Sequence, residues 1–372
     1  MKKKLLYIVN VDWFFISHRL PIAKAAINRG FEVSLASSFN GKNDDLEKLS
    51  IDKYPINIDR KTLNPFKFFL NLVEVINILK KVQPDVVHLV TIKPVILGCF
   101  AALFNSKKPK VIASISGLGY VFTAEDFFSG IRKKIILFLY KIAFLYPNLI
   151  VIFQNQDDMN SICKATGLNK NKTILINGSG VDLDLFKASI SKNQVPKVIF
   201  PARLLISKGI REFLFAAEKL HKLGRFILVG QVDKNHKDCI SKSFLDKCIK
   251  KGYVEYWGFS NSMEKVLNKA SIVVLPSYRE GLPKVLSEAA ACGKPIVTTD
   301  VPGCRDTVIH GITGIIVPKK NPYALAEGIK KIINDKNLQN NMSKQARYLA
   351  EKKFDIKKII TIHLNLYING IF

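Results

Sequence analysis

The sequence predicts an α/β protein of two doubly wound domains, each a parallel sheet covered by helices, facing one another across a cleft. Three observations predict it. Strand-length runs such as Ile272-Val273-Val274-Leu275 are continuously apolar rather than alternating, as strands buried on both faces must be. Helix-length segments separate most of these runs, the mark of repeated β-α units. The cycle then starts afresh near residue 197, after a polar stretch. With 372 residues, 48% of them hydrophobic, the chain can bury two cores of ordinary size.

Taken in chain order, strands are expected at 5–10, 32–36, 85–89, 111–114, 149–153 and 173–176, with helices at 20–29, 66–82, 95–104 and 131–145. The second cycle offers strands at 197–201, 226–229, 254–256, 272–275 and 295–299. The polar segment 188–196 reads as a linker, which divides the chain into Rossmann-like domains 1–190 and 191–354. A last helical pattern, 356–367, lies beyond the second sheet and is expected, within 355–372, to pack back on the first domain. A cleft between two such domains suits two substrates that must be brought together and dried.

There are 57 basic residues against 30 acidic ones, a net charge of +27, and the excess is spread over both halves. Such a spread attracts diphosphates, phospholipid headgroups or nucleic acid. It is equally what a lysine-rich composition leaves on solvated faces. Nucleic acid is not expected as a partner, since no binding motif or aromatic stacking signature accompanies the charge. The six cysteines, Cys99, Cys163, Cys239, Cys248, Cys292 and Cys304, form no CxxC pair and have no ligand spacing with histidine, which argues against zinc and against a disulfide framework. The opening Met1-Lys2-Lys3-Lys4-Leu5 run reaches Asp12 too soon for a secretory signal. The longest apolar region, 135–153, is broken by Lys141, Pro147 and Asn148 and does not read as a membrane span. A cytoplasmic protein is expected.

Open α/β sheets bind ligands beyond the carboxyl ends of their strands. Phe200-Pro201-Ala202-Arg203-Leu204-Leu205-Ile206-Ser207-Lys208-Gly209 follows the first strand of the second cycle and opens a helix. Arg203 and Lys208 thus stand where a helix N-terminus also attracts anions. Two cations and free amides can hold a diphosphate and offset charge that grows on it as a bond breaks. Alone, the pair is as well explained by solvated charges. After the run 272–275, Glu280-Gly281-Leu282-Pro283-Lys284-Val285-Leu286-Ser287-Glu288 sets one acid on a Gly/Pro turn and a second inside the apolar helix 285–292. Glu288 suits a ribose diol and Glu280 suits sugar hydroxyls. The plainer reading is a helix-start acid favoured by the dipole and one exposed acid.

Together, Arg203…Lys208-Gly209, Pro276-Ser277-Tyr278-Arg279-Glu280-Gly281-Leu282-Pro283…Glu288-Ala289 and Ala291-Cys292-Gly293-Lys294-Pro295 resemble the retaining glycosyltransferases of the GT-B fold, family 4 (group 1). The resemblance extends over essentially the whole chain and is densest in the second domain. It implies that Arg203 and Lys208 grip the donor diphosphate, that Glu280 contacts the transferred sugar, and that these three carry catalysis. It further implies that Glu288 holds the nucleotide ribose, that Gly281, Leu282 and Pro283 lend backbone amides, and that Gly230 belongs to the same donor site. Such enzymes need no metal cofactor, because the cations and the helix dipole do its work.

In the first domain, Asn10-Val11-Asp12-Trp13-Phe14-Phe15 follows the opening strand and Ser17-His18-Arg19-Leu20-Pro21 starts a helix, without the Gly-rich loop of many relatives. This pattern is similar to a subgroup that makes capsule, O-antigen and other lipid-linked glycans. The resemblance implies that His18 and Arg19 meet an acceptor diphosphate; a core or capping role is the alternative for His18. Ser116-Gly117-Leu118-Gly119-Tyr120 should form a tight loop, with Gly117 and Gly119 on the acceptor side. Ser116 stands where relatives often carry histidine, so no family-style catalytic histidine is expected. His88 is a substitute candidate, with a structural role as the alternative. Gly178, Gly180-Val181-Asp182 and Phe186 read as structural.

Arg132-Lys133-Lys134 opens an apolar helix, and Phe66, Phe68, Phe69, Phe127 and Phe128 lie near other basic residues. These could seat the first domain on an anionic bilayer, unless the aromatics are core. The expected activity is transfer of a hexose or N-acetylhexosamine from a UDP donor to a saccharide on undecaprenyl diphosphate, by a protein peripheral on the inner face of the cytoplasmic membrane. A sugar-nucleotide 2-epimerase of the same architecture, active without an acceptor, and a non-catalytic nucleotide-sugar-binding protein are the alternatives.

Overall fold

A computed structural model describes residues 2–39, 44–58, 64–118, 127–189, 195–233, 236 and 238–369. The chain divides into two units, 1–179 with 357–372, and 180–356. Both are parallel sheets wound with helices, as the continuous apolar runs predict.

The first unit holds β1 (Lys4–Val11), β2 (Glu32–Ser38), β3 (Asp52–Pro55), β4 (Val86–Val90), β5 (Lys110–Ile115), β6 (Leu149–Phe153) and β7 (Thr173–Leu175). Their order is β3-β2-β1-β4-β5-β6-β7, every neighbouring pair parallel. Each residue of β4 and β6 is buried, which a sheet covered on both faces requires. β3 was outside the expected set because Asp52-Lys53-Tyr54-Pro55 is a half-exposed edge with no apolar run. The helix Ile356–Ile368 joins this unit from Lys357 onward.

A buried polar row holds that helix in place. Tyr7 of β1 lies beside His88 of β4 in register. The His88 ring meets Ser114 Oγ through Nε2 and Tyr367 Oη through Nδ1, both at 2.7 Å. Tyr367 Oη also meets Tyr7 Oη at 2.9 Å. His88 is fully buried, and desolvation drives its pKa well below the usual value. The imidazole is therefore neutral, with one donor and one acceptor, and this row satisfies both.

The second unit holds β8 (Lys197–Pro201), β9 (Arg225–Val229), β10 (Glu255–Tyr256), β11 (Ile272–Leu275), β12 (Ile296–Thr299) and β13 (Gly314–Val317), in the order β10-β9-β8-β11-β12-β13. β13 was also outside the expected set. It is four residues long and begins at Gly314, where a side chain would strike the Ile296 carbonyl oxygen at 2.0 Å. The unit begins at Gly180, so the segment 180–190, expected with the first domain, belongs here instead. Hydrogen bonds explain the shift. Val181 N–H donates to Phe354 O at 2.7 Å, Arg347 Nη1 to Phe186 O at 2.8 Å, and the buried Lys294 Nζ to Ser189 O at 2.8 Å. Much of the expected linker, 190–194, lies outside the described residues.

Tyr367→Phe removes one hydroxyl and leaves His88 Nδ1 and Tyr7 Oη short of a partner inside the core. The expected cost is about 1–3 kcal/mol, read as a lower urea midpoint for unfolding.

Candidate active site

The sheet order of the second unit reverses between β8 and β11, which makes their carboxyl ends a topological switch point. β8 sends out Arg203 and the 3-10 turn Ile206–Lys208; β11 sends out the loop that carries Ser277 and Glu280. Two backbones are pressed together there. Gly209 has φ +78°, and a Cβ on it would lie 2.2 Å from the Pro276 carbonyl oxygen. Tyr278 N–H donates to Ser207 O at 2.9 Å, closing the same seam. Tyr278 Oη donates to Glu212 Oε1 at 2.7 Å and ties the loop to the helix Ile210–Leu220.

This seam brings two of the expected residues together. Lys208 Nζ forms an ion pair with Glu280 Oε1, and their side chains are only 23% and 14% exposed. Ser277 Oγ donates to the same carboxylate oxygen at 2.6 Å. The Glu280 backbone is fixed from the exit of β12: its N–H donates to Pro302 O at 3.2 Å. Gly303, at φ +81°, lies so close that a Cβ would be 2.6 Å from Glu280 O. Charge-assisted hydrogen bonds in a partly dry site are the strong ones.

The other expected donor residues are placed separately. Arg203 is exposed and pairs with Asp233 at 3.3 Å, not with Glu280. At Gly230, φ +151°, a Cβ would lie 2.0 Å from Ala202 O, so this glycine permits the exit of β9 to pack on the backbone before Arg203. Glu288 lies buried in the helix Lys284–Ala291, 3.5 Å from Lys284 Nζ. Desolvation pushes its carboxyl pKa up, and Lys284 pulls against that. Gly281 and Leu282 each carry a backbone N–H group. Pro283 has none, so its expected role as an amide donor is corrected: it caps the helix that starts at Lys284.

In the first unit, His18 is half-buried, its ring stacked on Phe14 with centroids 4.1 Å apart. Arg19 is 2% exposed, with Nη1 donating to His18 O at 3.0 Å, and burial lowers its pKa. An acceptor diphosphate cannot reach a guanidinium sunk in the core, so the expected contact at Arg19 is corrected. His88 is likewise a core residue, held as described above. Gly117 has φ +102° in the loop after β5. Ser116 Oγ beside it is buried with no hydrogen-bond partner among the described residues. Gly119 lies outside the described residues. Among the described residues, no three His, Cys, Asp or Glu side chains are grouped to hold a metal ion. Nor is any helix among them long and apolar enough to cross a membrane.

Comparison with known proteins places this geometry in a family. The model for "Glycosyl transferases group 1" matches residues 182–348, and that for "Glycosyl transferase 4-like" proteins matches residues 4–155. The chain is 30% identical to the N,N'-diacetylbacillosaminyl-diphospho-undecaprenol alpha-1,3-N-acetylgalactosaminyltransferase of Campylobacter jejuni, over 95% of this chain and 97% of that one. It belongs to the group 1 glycosyltransferases. It is also 24% identical to an Escherichia coli UDP-Gal:alpha-D-GlcNAc-diphosphoundecaprenol alpha-1,3-galactosyltransferase, over 92% and 90% of the two chains. Anabaena HepE in complex with UDP shares its fold at 19% identity, with a TM-score of 0.78 over 98% of this chain and 99% of that one. This chain is therefore a glycosyltransferase, and its two parallel-sheet units are those of the GT-B class.

Sequence reasoning gave no role to several residues that hold the Lys208–Glu280 pair in place. Gly209, Ser277, Tyr278, Pro302 and Gly303 act through backbone approach or buried bonds. Gly303 had a local signal, the Pro302-Gly303 dipeptide shortly after a strand. Thr91, at the carboxyl end of β4, takes φ +76°, an outlier for a β-branched residue, and its Oγ1 donates to Asn10 Oδ1. β1 and β4 flank the first unit's own switch point.

Gly209→Ala should cost more stability than Gly252→Ala. Both glycines have positive φ, which an alanine resists by about 1–2 kcal/mol, but nothing lies within 4 Å of a Cβ at Gly252. Thermal unfolding of the two variants checks this, and only Gly209→Ala should also lower transfer activity.

Proposed function

We propose that this glycosyltransferase moves a hexose or N-acetylhexosamine, with retention, from a UDP-linked donor to a saccharide carried on undecaprenyl diphosphate. The observation that carries the reading is the Lys208–Glu280 pair at the β8/β11 switch point. A cation and an acid share one crevice there, as a sugar next to a diphosphate would require. The Campylobacter jejuni and Escherichia coli relatives act, by their names, on diphospho-undecaprenol saccharides, and HepE has been solved with UDP and with UDP-glucose. These relatives support the acceptor class and the uridine diphosphate.

In this reading Glu280 accepts hydrogen bonds from the donor sugar, and Glu288 accepts them from the ribose. Lys208 and Arg203 face the diphosphate. The acceptor hydroxyl oxygen bonds to the anomeric carbon on the face that the diphosphate leaves, as the anomeric carbon–oxygen bond breaks. The hydroxyl proton passes to the departing phosphate oxygen. Negative charge grows on the diphosphate, where preorganised cations lower the barrier most. The two side chains supply that charge without a metal ion.

The first unit offers a surface for the lipid side. The helix Ile92–Leu103 packs between the helices Pro65–Val82 and Phe127–Ala143. The first flanking helix exposes Phe66 and Phe69, and the second exposes Ile131, Ile135 and Phe138. Lys67, Arg132, Lys133 and Lys134 are exposed among them. Phe68, by contrast, is partly buried against the core, and the side chains of Phe127 and Phe128 lie outside the described residues. Apolar and basic groups on one helix layer suit the headgroup region of an anionic bilayer. We propose that this layer seats the enzyme on the inner face of the cytoplasmic membrane.

Transfer from a panel of UDP-sugars to a synthetic undecaprenyl-diphosphate saccharide tests the reaction. Glu280→Ala should lower it by about two orders of magnitude with an unchanged melting temperature, and EDTA should leave the wild-type rate intact; full activity in Glu280→Ala would overturn the site. Sedimentation with phosphatidylglycerol vesicles tests the surface. Binding at low salt that weakens at high salt and in Phe69→Ser/Phe138→Ser supports it, and absence of binding at either salt sinks it.

A further inference from the structure

We infer that Ser277 is a positioning residue for Glu280, setting which oxygen of that carboxylate is presented to the donor sugar. The inference rests on the donor-site reading above. Among the described residues two side chains bond the Glu280 carboxylate, Ser277 Oγ and Lys208 Nζ, and both approach Oε1. Oε1 is thereby occupied from inside the protein, and among the described residues Oε2 is the oxygen left for a ligand. The side chain keeps 14% of its surface exposed, enough to meet one.

The two contacts differ in what a donor does to them. Lys208 is a flexible ammonium, and an arriving diphosphate competes for it with Glu280. Ser277 cannot follow the donor. It is fully buried, its own carbonyl accepts a hydrogen bond from Thr299 Oγ1, and the neighbouring Thr298 Oγ1 holds Leu275 O at 2.7 Å. β12 thus clamps the exit of β11 on which Ser277 rides. Once Lys208 turns toward the diphosphate, the Ser277 hydroxyl keeps the Glu280 carboxylate from rotating after it. Side chains that touch reacting groups need such support to stay within a fraction of an ångström of their working geometry.

The serine is distinguishable from a mere packing residue because its effect passes through one carboxylate. Ser277→Ala removes a single oxygen from a buried site and should keep the fold, which thermal unfolding verifies. Affinity for UDP alone, which has no sugar, should change less than twofold by titration calorimetry. Turnover with the UDP-sugar identified in the panel above should fall about tenfold or more in kcat/KM, as loss of a hydrogen bond to a charged group predicts. Ser277→Cys, which keeps a weak donor of similar size, should recover part of that loss.

The deciding measurement is the double-mutant cycle with Glu280→Ala. In the Glu280→Ala background, Ser277→Ala should cost nothing further. Additive losses, an unchanged kcat/KM in Ser277→Ala, or an equal loss of UDP affinity would each overturn the positioning role. If Glu280→Ala itself keeps full activity, the donor-site reading fails instead, and the two failures are told apart by that single variant.

Discussion

The approach of Gly209 to the Pro276 carbonyl is the contact on which the site of the second unit depends. No residue with a side chain can occupy that position without moving one of two loops. Because the backbones meet, the turn that carries Lys208 lies against the loop that carries Glu280, and the ion pair follows. Tyr278 repeats the constraint with a backbone bond to Ser207 and a side-chain bond to the buried Glu212. Ligands of open α/β sheets bind where two adjacent strands send their loops opposite ways. Here that crevice is drawn together by a glycine before any ligand arrives.

The two units handle polar groups in opposite ways. In the second unit, opposite charges meet at a partly exposed strand end, where an incoming anion or sugar can exchange with them. In the first, the polar row Ser114–His88–Tyr367–Tyr7 is sealed in the core. Burial keeps both His88 and His363 neutral, the latter with its pKa lowered to about 3, so neither can act as a cationic group near neutral pH. That row docks the last helix, whose residues follow the whole second unit in the chain. Such a network fixes structure when every member is satisfied, and it offers a ligand little.

The architecture was legible because burial on both faces forces near-continuous apolar strands. The runs 149–153, 197–201 and 272–275 appear as strands with the bounds read from the sequence. β3 escaped because Asp52-Lys53-Tyr54-Pro55 has no apolar run, and β13 because its apolar run is only four residues long and opens on a glycine. Of the candidate site, Lys208 and Glu280 were legible as a cation and an acid that each follow a strand end, and the structure pairs them. Arg19 misled because Ser17-His18-Arg19 looks like a polar helix start, while the helix packs its arginine inward. Pro283 misled more simply, since its ring leaves no proton to donate.

The sequence by itself determined the class of fold, the order of β-α units and the chemical types gathered at the strand ends, and its motifs pointed to the family. These are consequences of local pattern: apolar runs, turn residues and charges at fixed offsets. Only the tertiary structure decided that Lys208 reaches Glu280 while Arg203 turns to Asp233, that Ser277 shares the Glu280 oxygen, and that the last helix belongs with the first unit. Ser277, three positions from Glu280, shares its oxygen with Lys208 from the other strand's loop. Lys208–Glu280, Arg203–Asp233 and the contacts of the last helix join residues tens to hundreds of positions apart. Pairing at that range depends on sheet order and on the space left between backbones, which no local pattern encodes.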